Sequence, residues 1–184
     1  MTTGMDWQAQ VGRSWAENYR LTDRSFTGLT ERLLERIAER RGNAVLDIGC
    51  GAGELSLAVA RHRPGAQVVG VDLSDDLVAV AKERGAQHGN VSFEQADAAR
   101  WSKAGFVPEL LVSRHGVMFF PDPEAAFANL HAAAAVEAGL VFSCFRDPSE
   151  NLWASELAGL LELPPVPDPH AAGPFAFADR DHVG

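Results

Sequence analysis

What the chain lacks narrows the field first. It carries no surplus of basic charge: 16 Lys and Arg against 25 Asp and Glu leave a formal charge of −9. Phosphate binding needs a basic surface, which argues against nucleic acid as the main partner. Cysteine is scarce. Cys50 and Cys144 belong to no CxxC or CxxC…H pattern, and two lone thiols read as reduced core or near-site residues of a cytoplasmic protein. His62, His88, His131, His170 and His182 have no metal-ligand spacing, so no metal is expected. Long apolar runs are missing too; none approaches the roughly 20 residues needed to span a bilayer. Residues 1–24 are polar and include Asp6, Glu17 and Asp23, unlike a signal peptide. There is no internal repeat, and the only biased tract is the alanine-rich stretch around Ala132. The expectation is a soluble cytoplasmic domain with no membrane partner.

What remains is a globular mix: 184 residues, 46% of them hydrophobic and 22% charged, enough for one domain with a real core. Residues 1–42 read as a helical cap. Trp7, Val11 and Trp15 recur at near-helical spacing, and Phe26, Leu29, Leu33, Leu34 and Ile37 form a second apolar stripe. Trp15 and Tyr19 have two readings, packing of this cap against the sheet or covering a ligand.

Residues 43–162 alternate strand and helix. Strands are expected at 44–48, 67–71, 91–95, 109–113 and 139–145, the last apolar enough to suggest burial on both faces. Helices are expected at 55–61, from Ser74 to between Gly85 and Gly89, after Asp122-Pro123, and at 151–161. This pattern implies a doubly wound, mainly parallel α/β sheet with right-handed crossovers. Residues 163–174 carry five prolines and read as a loop or lid; the start of a further helix follows before residue 184.

The centre of the pattern is Val45-Leu46-Asp47-Ile48-Gly49-Cys50-Gly51-Ala52-Gly53-Glu54, a strand, a glycine turn and a helix start. A dinucleotide turn needs G-x-G-x-x-G; here the third position is Glu54. Asp47 and Glu54 without a nearby lysine also make a poor host for pyrophosphate, and no G-K-[ST] is present. A cofactor with a sulfonium, an ammonium and ribose hydroxyls fits better. Asp47, Asp72 and Asp97 sit at or just past the ends of the first three strands, where they can accept charge-assisted hydrogen bonds.

These stretches resemble class I S-adenosylmethionine (SAM)-dependent methyltransferases of a small-molecule type. Gly70-Val71-Asp72-Leu73-Ser74 and Gln95-Ala96-Asp97-Ala98 are similar to the family's next two motifs. Ser113-Arg114-His115-Gly116-Val117-Met118-Phe119-Phe120 and Phe175-Ala176-Phe177-Ala178-Asp179 resemble later ones. The resemblance implies a Rossmann-like fold, SAM as cofactor and a small-molecule acceptor. It places Gly49, Cys50, Gly51 and Gly53 along the methionine part and Asp47 near the ammonium. Asp72 would take the ribose hydroxyls, Leu73 the adenine face, Asp97 the adenine amino group and Ala98 a ring nitrogen. Ser113 and Arg114 would close the methionine end through backbone. Trp15, Tyr19 and Phe119 are the acceptor candidates.

His115, on the loop after the fourth strand, has two readings: a general base, since histidine titrates near neutrality, or a residue that shapes the site. Asp97 likewise reads as a ligand or a turn former, and Cys50 as a small residue that fits its turn. The family usually adds two strands beyond the fifth, and the sequence to residue 184 holds neither. The fifth strand is therefore expected as an apolar edge open to a second copy. Three functions stand in order: methyl transfer, SAM binding without catalysis because of the missing strands, and dinucleotide-dependent oxidoreduction.

Overall fold

Side-chain alternation in each strand sorts apolar residues onto two faces, and both faces find cover. In the computed structural model, which describes residues 4–161 and 168–183, five strands pair in parallel. They are Ala44–Ile48 (β1), Gln67–Asp72 (β2), Val91–Gln95 (β3), Leu110–Arg114 (β4) and Gly139–Ser143 (β5), ordered β3-β2-β1-β4-β5. Leu46, Ile48, Val69, Val71 and Leu111 point to one side with Met118, Phe120, Leu130 and Phe177. Val45, Val68, Leu110 and Val112 point to the other with Leu33, Ile37, Leu55 and Val59. Each fully buried residue of this kind is worth about 1.5–3 kcal/mol.

The helices are Gly4–Trp7 (α1), Gln10–Glu17 (α2), Tyr19–Ala38 (α3), Glu54–His62 (α4), Asp75–Gly85 (α5), Pro123–Ala133 (α6), Leu152–Leu160 (α7) and Arg180–Val183 (α8). Their ends follow the expected chemistry. The Ser74 hydroxyl accepts from the Leu77 amide at 3.3 Å and the Asp122 carboxylate from the Ala125 amide at 3.0 Å, with Pro123 opening α6. The C-terminal end of α3 is capped from afar: Arg63 donates to the Ile37 carbonyl of the helix and to those of Arg40 and Gly42 just beyond it.

Three expectations change. The N-terminal tryptophans do not share one helix, because the chain breaks between α1 and α2. Instead of lying on the sheet, α2 docks on α5 at Gly12, where an added Cβ would lie 2.2 Å from the Ser74 Oγ. β5 is not buried on both faces. It ends the sheet, with β4 on one side only, and Leu140 stays 41% exposed. The apolar face of α7 leaves Leu152, Trp153 and Leu160 exposed.

The expected lid at 163–174 falls partly on residues 162–167, outside the described residues. The segment after it is packed: Gly173 donates to the Met118 carbonyl, Ala176 and Phe177 are buried, and Phe177 meets the rings of Phe127 and Phe142. Among the described residues no helix is long and apolar enough to cross a membrane.

Candidate cofactor and acceptor site

Strand order reverses between β1 and β4, and the crevice at such a switch point is where open α/β sheets take ligands. Two loops nearly touch there. An added Cβ on Gly49 (φ 67°) would lie 2.7 Å from Gly116 Cα, and one on Gly116 would lie 2.4 Å from the Ile48 carbonyl oxygen. Ser113 locks this contact, donating its hydroxyl to the Ile48 carbonyl at 2.7 Å and accepting from the Gly116 amide at 3.1 Å.

Ser113 is fully buried and does not line the cavity, so its place is in the wall behind the site. Gly53 is likewise structural. It begins α4 at φ 83°, and a Cβ there would meet the Phe93 ring at 2.8 Å. Gly51 is different: at φ 53° it has nothing within 4 Å of its missing side chain, so its backbone lies open to an incoming group.

The crevice widens into a cavity of about 1120 Å³. Its lining gathers Asp47, Gly49, Cys50, Gly51, Asp72, Leu73, Asp97, Ala98, Arg114 and His115, together with Trp15, Tyr19 and Phe119. Residues far apart in sequence thus converge on one space, because three strand ends and helices α1 to α3 all open onto it.

The carboxylates differ in how far they are committed. Asp47 is buried; one oxygen accepts from the Ser56 hydroxyl at 2.5 Å and the other has no partner among the described residues. Burial raises its pKa from 3.8 to about 6, against the Ser56 hydrogen bond, which lowers it. Asp72 ties the glycine turn to β2, its oxygens accepting from the amides of Gly51 at 2.8 Å and Ser74 at 2.9 Å. Burial also raises its pKa, opposed by those amides, and each oxygen keeps a second lone pair for a ligand hydroxyl. Asp97 is exposed and accepts from the Ala99 amide at 3.0 Å, so it forms its own turn while bordering the cavity. The Cys50 thiol is pushed well up by burial, then by Asp72 and Asp47, which makes it unreactive.

One group of partners was not visible in the sequence. Arg84 Nη2 contacts both Asp23 (2.9 Å) and Glu54 (2.7 Å), while Nη1 donates to the Ala52 carbonyl at 2.7 Å. Arg114 donates to the Thr30 hydroxyl at 2.8 Å and lies 3.5 Å from the other oxygen of Asp23. Glu54 is therefore neutralised rather than facing a ligand as a bare negative charge. The electrostatic case against pyrophosphate falls back on Asp47 and Asp72. The only advance signal for Arg84 was its position in the last turn of α5, where a cation suits the helix dipole.

The setting of His115 bears on its two readings. Its backbone is left-handed (φ 64°), and its ring is held between Phe145 (4.1 Å between centroids) and the edge of Phe26 (5.1 Å). Burial, with a smaller contribution from Arg114, lowers its pKa to about 4. The near-neutral titration that favoured a general base is absent from this setting. These surroundings favour the reading of His115 as a shaping residue over that of a general base.

Relatives agree with the geometry. Residues 45–136 match the family described as "Methyltransferase domain". The chain is 33% identical over 117 residues to a trans-aconitate 2-methyltransferase of Variovorax paradoxus (strain S110), covering 64% of this chain and 44% of that protein. It is 33% identical over 113 residues to a ubiquinone biosynthesis O-methyltransferase of Coxiella burnetii (strain Dugway 5J108-111), covering 61% and 47%. The chain thus spans a little under half the length of these relatives. Among solved structures it is similar in fold to a DhpI-SAM-HEP complex, with a TM-score of 0.60, 24% identity, and 85% and 72% of the two chains covered. With a glycine turn, strand-end carboxylates and a matched stretch that spans half its length, the chain belongs to the methyltransferase-domain family.

Proposed function

We propose that the protein binds SAM and transfers its methyl group to a small-molecule acceptor by in-line displacement. The observation that carries this reading is the free oxygen of Asp47. A buried carboxylate oxygen without a donor costs free energy, and an ammonium group at the methionine end of SAM would supply one. The open backbone at Gly51 suits the same end of the cofactor, Asp72 suits the ribose hydroxyls, and Leu73 with Ala98 suits the adenine.

When bound, SAM supplies an electrophilic methyl on a sulfonium that leaves as a neutral thioether. The chain's own part is positional. Asp47 and Asp72 hold the methionine end and the ribose of the cofactor, and the Gly49–Gly116 contact sets the depth of the floor. The aromatic side chains around His115 and Phe119 exclude water from the reacting atoms. The acceptor pairs with this site as a small molecule. The reading extends to the cytoplasm as location, supported by two free thiols, and to self-association through the open edge of β5, supported by its half-exposed apolar residues.

Calorimetric titration with S-adenosylhomocysteine tests the core of it. One site per chain, with NAD binding far more weakly, is the expected result. Preference for NAD would overturn the cofactor assignment, and S-adenosylhomocysteine binding without methyl transfer to any acceptor would remove the catalytic half.

A further inference from the structure

The cavity is larger than one cofactor needs: about 1120 Å³ against the roughly 300–1,000 Å³ common for a single small ligand. With the carboxylate-rich floor assigned to the cofactor, the remaining wall is aromatic. Trp7 contacts Trp15 (5.7 Å between centroids) and Phe119 (5.1 Å), both edge to face. A separate cluster joins Phe145 to His115 and to Trp153 (5.4 Å). Flat rings of this kind reward a flat apolar occupant through stacking and edge contacts.

Charge decides the class further. Among the described residues lining the cavity, Arg114 is the one Lys or Arg side chain, and it is already engaged. It donates to Thr30, lies beside Asp23, and stands 5.5 Å over the Phe26 ring. The second oxygen of Asp23 is taken by Arg84. An entering carboxylate would lose its hydration and meet Asp23 without an uncommitted cation to replace the water. A cationic acceptor would face Arg114 and the sulfonium. Trp7 lines this wall, and its buried indole N–H has no hydrogen-bond partner among the described residues, which suits an occupant carrying a neutral oxygen.

We infer that the acceptor compartment selects an uncharged aromatic molecule bearing a neutral oxygen, and that the Asp23–Arg114 pair excludes carboxylate acceptors. The inference rests on the proposed cofactor site, since it assigns the acidic floor to SAM.

The test uses the full chain saturated with S-adenosylhomocysteine and titrated at neutral pH with 2-naphthol, 2-naphthoate and aconitate. The expected result is binding of 2-naphthol at least about tenfold tighter than of either anion, the discrimination ordinary for an uncompensated charge entering a half-buried site. Asp23→Asn, which releases Arg114, should raise 2-naphthoate affinity and narrow the gap. Trp153→Ala, at a side chain that is 53% exposed and so safe for folding, should weaken 2-naphthol more than S-adenosylhomocysteine. Wild-type chain that binds S-adenosylhomocysteine but takes 2-naphthoate or aconitate as well as 2-naphthol, or takes no 2-naphthol, overturns this inference alone. Failure to bind S-adenosylhomocysteine in the first titration overturns the cofactor reading instead.

Discussion

Asp47 hangs from the Ser56 hydroxyl by one oxygen, at 2.5 Å, and keeps the other oxygen buried and unpartnered. The arrangement costs stability in the free protein and is returned on ligand binding. Burial raises the Asp47 pKa from 3.8 to about 6, so the folded chain holds this proton more tightly than the unfolded chain does. The stabilising contribution is thus fully present below pH 3.8 and is lost as pH rises through about 6. Ligand binding runs the other way, because the ammonium of S-adenosylhomocysteine pairs with the ionised form. Its affinity should climb up to tenfold per pH unit on approach to pH 6 and then level off. Asp47→Asn should flatten that climb, weaken binding by about 1.5–3 kcal/mol, and leave the ligand-free protein as stable as the wild type or more so at pH 8. Calorimetry and thermal denaturation across pH 5–8 read both effects.

Arg84 is the tie between the helical cap and the glycine turn, since one guanidinium holds Asp23 of α3, Glu54 of α4 and the Ala52 carbonyl. The side chains in these pairs are only about a fifth exposed, so screening by solvent is limited. Arg84→Ala strands Glu54, leaves Asp23 to Arg114 alone, and should cost about 2–4 kcal/mol in urea unfolding. Arg84→Lys should recover part of that, because a single ammonium cannot copy the two-pronged geometry. A loss below about 0.5 kcal/mol for Arg84→Ala would mean that Arg114 and apolar packing hold the cap without it.

These two sites mark the limit of what the sequence could tell. Asp47 and Asp72 were legible because each follows a short apolar run, and Asp97 because it follows an alternating one; strand ends share one edge of a parallel sheet. Gly51 was legible because a turn that brings backbone to a ligand needs a residue without a side chain. Arg84 was not, since its partners lie 30 and 61 positions away (84 − 54 and 84 − 23), and only the tertiary fold brings α3, α4 and α5 to one guanidinium. Apolar character in β5 suggested burial on two faces, but burial depends on strand order, which no local pattern encodes. Ser113 and Gly53 were placed at the cofactor by resemblance; neither lines the cavity, and both pack behind the loops whose backbone does.

Glycines of one turn should therefore respond differently to alanine. Gly51→Ala meets open space, so its cost is the left-handed backbone alone, roughly 1–2 kcal/mol; the fold should survive while S-adenosylhomocysteine affinity drops. Gly49→Ala adds a contact of 2.7 Å with the Gly116 backbone, which cannot move aside as a flexible side chain could. That variant should unfold at markedly lower urea than Gly51→Ala. Circular dichroism of the two side by side, with ligand titration of whichever folds, separates cradle from floor.

His115 offers the sharpest choice between chemistry and shape. A ring pressed between Phe145 and Phe26, with its pKa lowered to about 4, is neutral throughout the physiological range and a weak proton acceptor there. Brønsted behaviour makes a base with so low a pKa inefficient near pH 7. If the ring acts as a wall, His115→Phe should keep most of the turnover and the S-adenosylhomocysteine affinity of the wild type. His115→Ala should lower turnover several-fold by opening the site to water, and the wild-type rate should show no inflection from this residue between pH 5 and 8. His115→Asn tolerates the left-handed backbone (φ 64°) and so separates backbone strain from loss of the ring. If the base role holds after all, His115→Phe should be as inactive as His115→Ala while both still bind S-adenosylhomocysteine normally, and acceptors with already ionised nucleophiles should rescue both.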